Sequence, residues 1–275
     1  MNNDPVKAIA EVTKKVIGRG GNPDKVNGNV IQLPLWRDEV RGVPNEIVRS
    51  ALFNVGNPRT KRIFLEKAPI ALIGDGEITY TGIELRQDDE DVWLQVLHLS
   101  REQPLGDWVE FTPYAMLKSL KWHQNGHYKQ KLLDTLNRLS ATSLSMYGKR
   151  LGKGVSVSLI RKFVWQDDQH NDLARWRVYL EPEIRETFGD VHYTQLEWEQ
   201  RLELAPFEKW LHGFYASHKQ SYPLKLDTIH TASGSNIKDP YKFKQTLKNA
   251  LLTLVNIGFL TSWTIKDNKL YVNRA

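Results

Sequence analysis

The chain has 275 residues, enough for one large domain or two domains of ordinary size. Its hydrophobic fraction of 40% and charged fraction of 25% are typical of a globular protein, and its formal net charge of +6 favours a polyanionic partner, because neutralised phosphates release bound counterions. The absence of cysteine excludes disulfides, cysteine-ligated zinc, iron–sulfur clusters and a thiol nucleophile.

The first part of the chain, residues 1–36, is predicted to be a flexible extension. Val6, Ile9 and Ala10 favour a short helix near the start, and residues 18–29 are rich in Gly and Asn, as in a linker. The start has no apolar signal-peptide core, and no apolar run approaches the ~20 residues that span a bilayer. We therefore expect a cytoplasmic protein without a membrane partner.

A first domain is predicted over residues 37–180. Its early elements are a helix over 45–53, a pair of strands within 63–81 and a helix over 88–101. The last of these helices begins with acidic residues, which suit the positive end of the helix dipole.

A helix, a turn, a second helix and a hairpin follow in that order. Thr112 and Pro113 are typical of the N-cap and the first position of a helix. A second helix over 127–141 has leucines on one face, and strands over 143–147 and 155–165 flank a turn rich in Gly and Lys. This is the order of elements in a winged helix.

The same order recurs in a second predicted domain, residues 181–275. Its elements are a helix over 224–231, a helix over 241–257, and hairpin strands over 259–265 and 270–273. A further helix over 193–218 is predicted between the two units, with the domain boundary near Glu181-Pro182. The sequence therefore predicts an α+β protein with two tandem winged-helix domains and a flexible N-terminal extension.

Signatures of catalysis and metal binding are missing from the sequence. It contains no Gly-x-x-x-x-Gly-Lys-Ser/Thr phosphate loop, and His123 and His127 lack the intervening glutamate of a metalloprotease helix. We interpret the acidic run over 88–91 as the solvated start of a helix rather than a cation site. We therefore expect no enzymatic activity, no cofactor and no metal.

The second helix of each predicted winged helix carries side chains that can read bases in the major groove. A single basic face is more typical of a solvated surface, but two such helices, each followed by a hairpin, favour duplex DNA. The candidate DNA-binding residues of the first domain are Lys129, Gln130 and Arg138 in the helix over 127–141, and Lys149, Arg150 and Lys153 in the hairpin turn. Those of the second domain are Lys242, Lys244, Gln245, Lys248 and Asn249 in the helix over 241–257.

Short segments, dense from Leu35 to about Met146, match a known family. They are Arg37-Asp38-Glu39-Val40-Arg41-Gly42-Val43-Pro44-Asn45, Arg49-Ser50-Ala51-Leu52-Phe53, Tyr80-Thr81-Gly82, Asp91-Val92-Trp93, Val96-Leu97-His98-Leu99, Pro104-Leu105-Gly106-Asp107, Phe111-Thr112, Tyr114-Ala115 and Leu117-Lys118-Ser119-Leu120. In these segments the chain resembles the TrfA-type plasmid replication initiators.

This resemblance implies tandem winged-helix domains that bind direct repeats, called iterons, in the double-stranded DNA of a plasmid origin. It also implies origin opening and recruitment of the host DnaA protein and the replicative helicase. Monomers of such initiators are typically active and dimers typically serve copy control, so the resemblance implies a monomer–dimer equilibrium.

The resemblance also gives a second interpretation of the run Gln32-Leu33-Pro34-Leu35-Trp36. The run is similar to a bacterial sliding-clamp-binding motif of the form Gln-Leu-Ser/Asp-Leu-Phe, from which Pro34 and Trp36 depart. A glutamine and apolar anchors on a flexible tether can dock in an apolar groove. Gln32, Leu33, Leu35 and Trp36 are therefore candidate clamp-binding residues. Packing of the run on the first domain is the alternative, and the sequence leaves both open.

Three other functions remain compatible with the sequence pattern. A transcriptional repressor can have the same fold, and the clamp-like run is the feature that favours an initiator. A scaffold whose winged helices contact only proteins would give no gel shift at low salt. An enzyme would be revealed by ATP hydrolysis or DNA nicking by the pure protein.

Overall fold

The computed structural model describes residues 33–57, 60–102, 108–147, 154–188 and 192–275, with the side chains of 185 and 186 excepted. The helix predicted within 1–17 and the linker predicted over 18–29 lie outside the described residues. Buried hydrophobic side chains form two cores. The first core extends from Leu33 to Trp198, and the second extends from Leu204 to Val272.

Short strands lead into a largely buried helix at the start of the first core. The elements are β1 (Val40–Pro44), α1 (Asn45–Val48), β2 (Phe53–Asn54), β3 (Phe64–Ile70), β4 (Glu77–Ile83), β5 (Leu85–Arg86) and α2 (Gln87–Ser100). The predicted helix over 45–53 is therefore only one turn long. Its last residue, Phe53, instead pairs with Leu85 in a parallel two-stranded sheet.

The predicted helix, turn, helix and hairpin follow in the first core. They comprise β6 (Trp108–Phe111), α3 (Pro113–Ser119), α4 (Gly126–Ser140), β7 (Ser143–Tyr147), β8 (Gly154–Val157), β9 (Lys162–Gln166) and β10 (Asp172–Tyr179). Thr112 caps α3 by accepting a hydrogen bond from the Ala115 amide at 3.1 Å. The predicted single strand over 155–165 is wrong, because β8 pairs with β7 whereas β9 pairs with β10 in a different sheet.

The segment that leads from the first core into the second agrees only in part with the helix predicted over 193–218, because its later residues are helical, with a break before Pro206, but its first residues are not. The elements here are α5 (Ile184–Phe188), β11 (Tyr193–Glu197), α6 (Trp198–Leu202) and α7 (Pro206–Ala216). The first five residues of the predicted helix over 193–218 form a strand, which pairs antiparallel with β1. Because of this pairing, the change of core lies between Trp198 and Leu204 rather than near Glu181-Pro182.

The second core repeats the order of helix, turn, helix and hairpin. Its remaining elements are β12 (Leu224–Lys225), α8 (Leu226–Ala232), α9 (Pro240–Asn256), β13 (Leu260–Lys266) and β14 (Lys269–Arg274). The strands form one sheet in the order β12-β14-β13. These bounds agree with the predicted helices and hairpin to within a few residues, and the whole is a mixed α/β fold.

The two cores meet along α7. A Cβ atom on Gly213 would stand 2.5 Å from Cγ2 of Val48, so the close approach of α7 to the first core requires glycine there. In the same contact, Trp210 Nε1 donates a hydrogen bond to the carbonyl oxygen of Ser50 at 3.0 Å. The described residues accordingly belong to one compact unit.

Candidate nucleic-acid interface

Helix α9 follows α8 after a turn and lies against the second core. Asp239 caps its N-terminus by accepting a hydrogen bond from the Tyr241 amide at 2.9 Å, and Pro240 occupies its first position. The residues of its buried face recur at helical spacing. They are Phe243, Leu247, Ala250, Leu251 and Leu254. This packing fixes which residues of α9 are left on the outside.

All five candidate DNA-binding residues of α9 lie off that buried face. Lys242 and Asn249 are exposed, whereas Lys244, Gln245 and Lys248 are half-buried. Within the described part of the chain, none of the three lysines pairs with a carboxylate, and neither amide side chain has a hydrogen-bond partner. The outer face of α9 therefore offers positive charge and amide groups that no neighbour occupies.

Helix α4, the corresponding helix of the first core, differs in this respect. Lys129 Nζ lies 2.8 Å from Asp172 Oδ2, and Gln130 Nε2 donates to Asp134 Oδ1 at 2.8 Å. Arg138 Nη2 lies 2.6 Å from Asp89 Oδ1, with its side chain only 15% exposed. All three candidate residues of α4 are thus engaged within the protein, and a ligand would have to compete for them.

The acidic run at the start of α2 explains part of this difference. It is buried rather than solvated, so our interpretation of the run from the sequence is wrong. Arg62 Nη1 lies 2.5 Å from Asp89 Oδ2, and Lys131 Nζ lies 3.1 Å from Asp88 Oδ2. Burial alone would raise the pKa of Asp88. The positive charges of Lys131 and Arg62 have the larger combined effect and hold the pKa of Asp88 below its ordinary value. The run therefore serves as an internal counterion for the basic residues of α4.

Basic residues also occur in the sequence near both predicted hairpin turns. Lys149, Arg150 and Lys153, predicted to contact DNA from the first turn, lie outside the described residues. Near the second turn lie three exposed lysines that were not predicted to bind DNA, which are Lys225, Lys266 and Lys269. The signal was the run Lys-Asp-Asn-Lys, because Asp and Asn tolerate the left-handed backbone of a tight turn that brings the two lysines opposite each other.

The clamp-like run packs into the first core over its described residues. Leu33 and Trp36 are 2% and 6% exposed, whereas Leu35 is 67% exposed. Trp36 Nε1 donates to His98 Nδ1 at 3.1 Å, and its ring stacks on Phe188 with centroids 5.9 Å apart. Gln32 lies outside the described residues. This arrangement is the alternative that the sequence left open, and clamp binding through Leu33 and Trp36 would require their release.

The hydrogen bond to Trp36 depends on a neutral His98. Burial, together with the nearby guanidinium groups of Arg41 and Arg101, lowers the pKa of His98 to about 3. The imidazole is therefore neutral at physiological pH, and its Nδ1 atom remains an acceptor. Acidification favours unfolding here, because the unfolded chain takes up this proton more readily than the folded chain.

The described residues also bear on metal binding and on membrane insertion. Across the described ranges, no group of three or more His, Asp or Glu side chains could hold a metal ion. No helix in those ranges is both long enough and apolar enough to cross a membrane. The lack of enzymatic activity expected from the sequence stays a prediction.

The family of the chain is decided by comparison with known proteins. A sequence model of the TrfA protein family matches residues 22–274. This chain belongs to the TrfA family. The resemblance inferred from the segments between Leu35 and Met146 is thereby confirmed.

A curated TrfA-family relative is the plasmid replication initiator protein TrfA of Escherichia coli. It is 34% identical to this chain over 241 residues. The alignment covers 87% of this chain and 63% of the relative, so the chain spans less than two thirds of that relative's length.

Two solved structures share the fold of this TrfA-family chain. Both are crystal structures of domains 2 and 3 of RctB, with TM-scores of 0.54 and 0.55 and identities of 13% and 12%. They cover 80% and 82% of this chain and 92% and 95% of their own chains. At that level of identity the likeness concerns the fold alone.

Proposed function

We propose that this TrfA-family protein initiates plasmid replication by binding repeated double-stranded sites, or iterons, in a plasmid origin. Its family membership and its identity of 34% to a plasmid replication initiator support the biological role. The repeated order of helix, turn, helix and hairpin supports the assignment of both cores as winged-helix domains.

The DNA-binding proposal rests on the outer face of α9, where basic and amide side chains have no partner among the described residues. An asparagine or glutamine side chain can form two hydrogen bonds to an adenine edge, so Gln245 and Asn249 are the proposed base readers. Lys242, Lys244 and Lys248 contact the adjacent phosphates or guanine edges. Helix α4 makes a second contact with the same DNA, and joining both domains in one chain raises the effective concentration of that contact.

The proposed partners follow from the family. Origin opening is coupled to recruitment of the host DnaA protein, the replicative helicase and the sliding clamp, and a monomer–dimer equilibrium sets the active fraction. The protein supplies no catalysis of its own and acts in the cytoplasm, where plasmid DNA is replicated.

Substitutions on α9 test the DNA-binding role. Gln245→Ala and Asn249→Ala should each reduce the preference for repeat DNA over scrambled DNA by about 1–3 kcal/mol, because each removes a base contact. Lys248→Gln should weaken binding to both DNAs alike and lower the slope of log K against log salt by about 0.9. Fluorescence anisotropy with duplexes from the origin of the plasmid that carries the gene measures both effects.

Lys129→Gln on α4 is the matched control. It should change affinity less than Lys248→Gln, because Asp172 already neutralises Lys129 in the free protein. If the unmodified protein bound repeat and scrambled duplexes equally at physiological salt, the initiator proposal would fail.

A further inference from the structure

The second core contacts the first core at the turn that precedes α9. In this turn, which joins α8 to α9, the carbonyl oxygen of Ser233 accepts a hydrogen bond from the Val55 amide at 3.0 Å. The next residue, Gly234, has a φ angle of 62°, and a Cβ atom there would stand 2.5 Å from Cβ of Asn54. Glycine is therefore required both for the left-handed backbone and for the close approach of the two cores. The turn that leads into the proposed recognition helix thus rests directly on the first core.

Asn54, on the first-core side of this contact, is itself held in place. Its side-chain amide donates a hydrogen bond to Glu84 Oε1 at 2.9 Å. Its backbone pairs with Arg86 in the parallel sheet of β2 and β5, and β5 leads directly into α2. Asp89 of α2 in turn lies 2.6 Å from Arg138 of α4, measured from Oδ1 to Nη2. Packed elements therefore connect the turn before α9 to α4.

A second connection runs through α6, the short helix between the two cores. Gln200 Nε2 donates a hydrogen bond at 3.2 Å to the carbonyl oxygen of Ile257, the C-cap residue of α9. The Oε1 atom of Gln200 lies 2.9 Å from Nε2 of His212 in α7. The neighbouring residue, Arg201, is fully buried, and its Nη2 atom lies 3.0 Å from Oε2 of Glu90 in α2. Helix α6 therefore ties α9 to α2 and is not a loose tether.

These connections determine how α4 and α9 can contact one duplex. Two domains on a flexible tether accommodate different separations of their sites, because the span of the tether can change. Two domains in fixed contact accommodate only one separation. Each base pair inserted between the halves of a site moves one half by about 3.4 Å along the DNA axis and rotates it by about 35°. A fixed pair of helices then loses contact with one half.

We propose that the contact of the Ser233-Gly234 turn with β2, together with the contacts of Gln200 and Arg201, holds α4 and α9 at one separation and angle. The protein is thereby specific for one spacing between the two halves of its DNA site. This inference rests on the proposed function and adds a source of specificity to the base contacts. Asn54, Gly234 and Gln200 are positioning residues, because they act on DNA only through α4 and α9.

Gly234→Ala tests the contact at the turn, because the added methyl group should push the turn away from Asn54. The probes are an origin repeat duplex and the same duplex with one base pair inserted between the halves, which the footprint of the unmodified protein locates. The unmodified protein should bind the natural spacing about 100-fold more tightly, since the insertion removes the gain from joining two contacts. In Gly234→Ala this ratio, measured by fluorescence anisotropy, should fall below about tenfold.

Gly258→Ala is the matched control. Gly258 follows α9 with a φ angle of 75°, so alanine strains the backbone there as it does at Gly234. A Cβ atom on Gly258 would meet no described atom within 4 Å, so this variant leaves the contact between the cores intact. The control should keep the full preference for the natural spacing. Equal loss of preference in both variants, or full preference in Gly234→Ala, would overturn the proposal.

A distance measurement without DNA decides the question even if Gly234→Ala does not fold. The chain has no cysteine, so Asn137→Cys on α4 and Leu252→Cys on α9, both at exposed positions, allow specific spin labelling. Double electron–electron resonance on the full chain should give one narrow distribution of distances between the two labels. A broad distribution, or one with several maxima, would mean that the helices move independently and would overturn the proposal.

The proposed function fails separately. If the unmodified protein does not discriminate repeat from scrambled DNA, the initiator role is wrong whatever the distance between the labels. If it discriminates but binds the duplex with the inserted base pair as tightly as the natural repeat, only the spacing proposal is wrong.

Discussion

Replacing Arg201 with methionine is expected to reduce the free energy of unfolding by about 3–5 kcal/mol, because it leaves buried carboxylates without their counterion. The Arg201 side chain is 0% exposed. Its Nε atom lies 2.8 Å from Asp91 Oδ1, and its Nη2 atom lies 3.0 Å from Glu90 Oε2. Gln87 accepts a further hydrogen bond from Nη2 at 3.0 Å.

The loss of unfolding free energy in the Arg201→Met variant is expected to depend on pH. Burial already raises the pKa of Glu90, and Arg201 opposes that rise. Without Arg201, the pKa of Glu90 in the folded state rises further above the pKa of the same group in the unfolded chain. Unfolding then releases a proton, so the free energy of unfolding falls as pH increases. The deficit of the variant should therefore be largest at neutral pH and smaller near the ordinary glutamate value of 4.5.

Urea denaturation of the full chain measures this deficit, with Arg37→Met as the matched control. Arg37 pairs with Glu197 at 3.3 Å, but their side chains are 69% and 57% exposed. Such surface pairs contribute about 0–1 kcal/mol, so the control should remain close to the unmodified protein. Equal losses for the two variants would contradict the role given to the buried network.

Trp36→Ala is expected to destabilise the first core by about 3–5 kcal/mol, the usual cost of removing a buried tryptophan. The change removes the stacking on Phe188 and the hydrogen bond to His98. It also leaves a cavity beside Gly42, where a Cβ atom would stand 2.7 Å from the indole ring. Denaturant unfolding gives the magnitude.

Leu35→Ala is the control from the same run. Leu35 is 67% exposed, so its truncation should change stability by less than about 0.5 kcal/mol. A pull-down of the protein with the host sliding clamp distinguishes clamp binding by the run from packing of the run on the first core. If Leu35→Ala abolishes retention without destabilising the fold, the run has a docking role; if Trp36→Ala leaves stability unchanged, its packing in the first core contributes nothing.

The amphipathic helices were the most predictable part of the fold. Helices α4 and α9 have strong hydrophobic periodicity and clear N-terminal signals, and their observed bounds lie close to the predicted ones. Strand β11 was not predictable in this way. Its five residues continue into helical sequence, and its partner β1 lies far away in the chain, so no local pattern identifies the pairing.

The candidate site shows the same division between local and distant information. The sequence indicated which residues face outward on α9, because helical spacing settles that question. It did not indicate that the basic residues of α4 are neutralised by Asp89 and Asp172, since these contacts join distant parts of the chain. An acidic run at a helix start is usually solvated, and burial of this one depends on five basic side chains elsewhere. They are Arg62, Lys131, Arg138, Arg201 and Lys209.

A footprint of the full chain on the plasmid that carries its gene tests the central claim most directly. We expect a regular series of protected segments in direct repeat at the origin, which disappears with the double variant Lys248→Gln/Asn249→Ala. A single protected site over a promoter, or no protection at any concentration that saturates arbitrary duplex DNA, would contradict it.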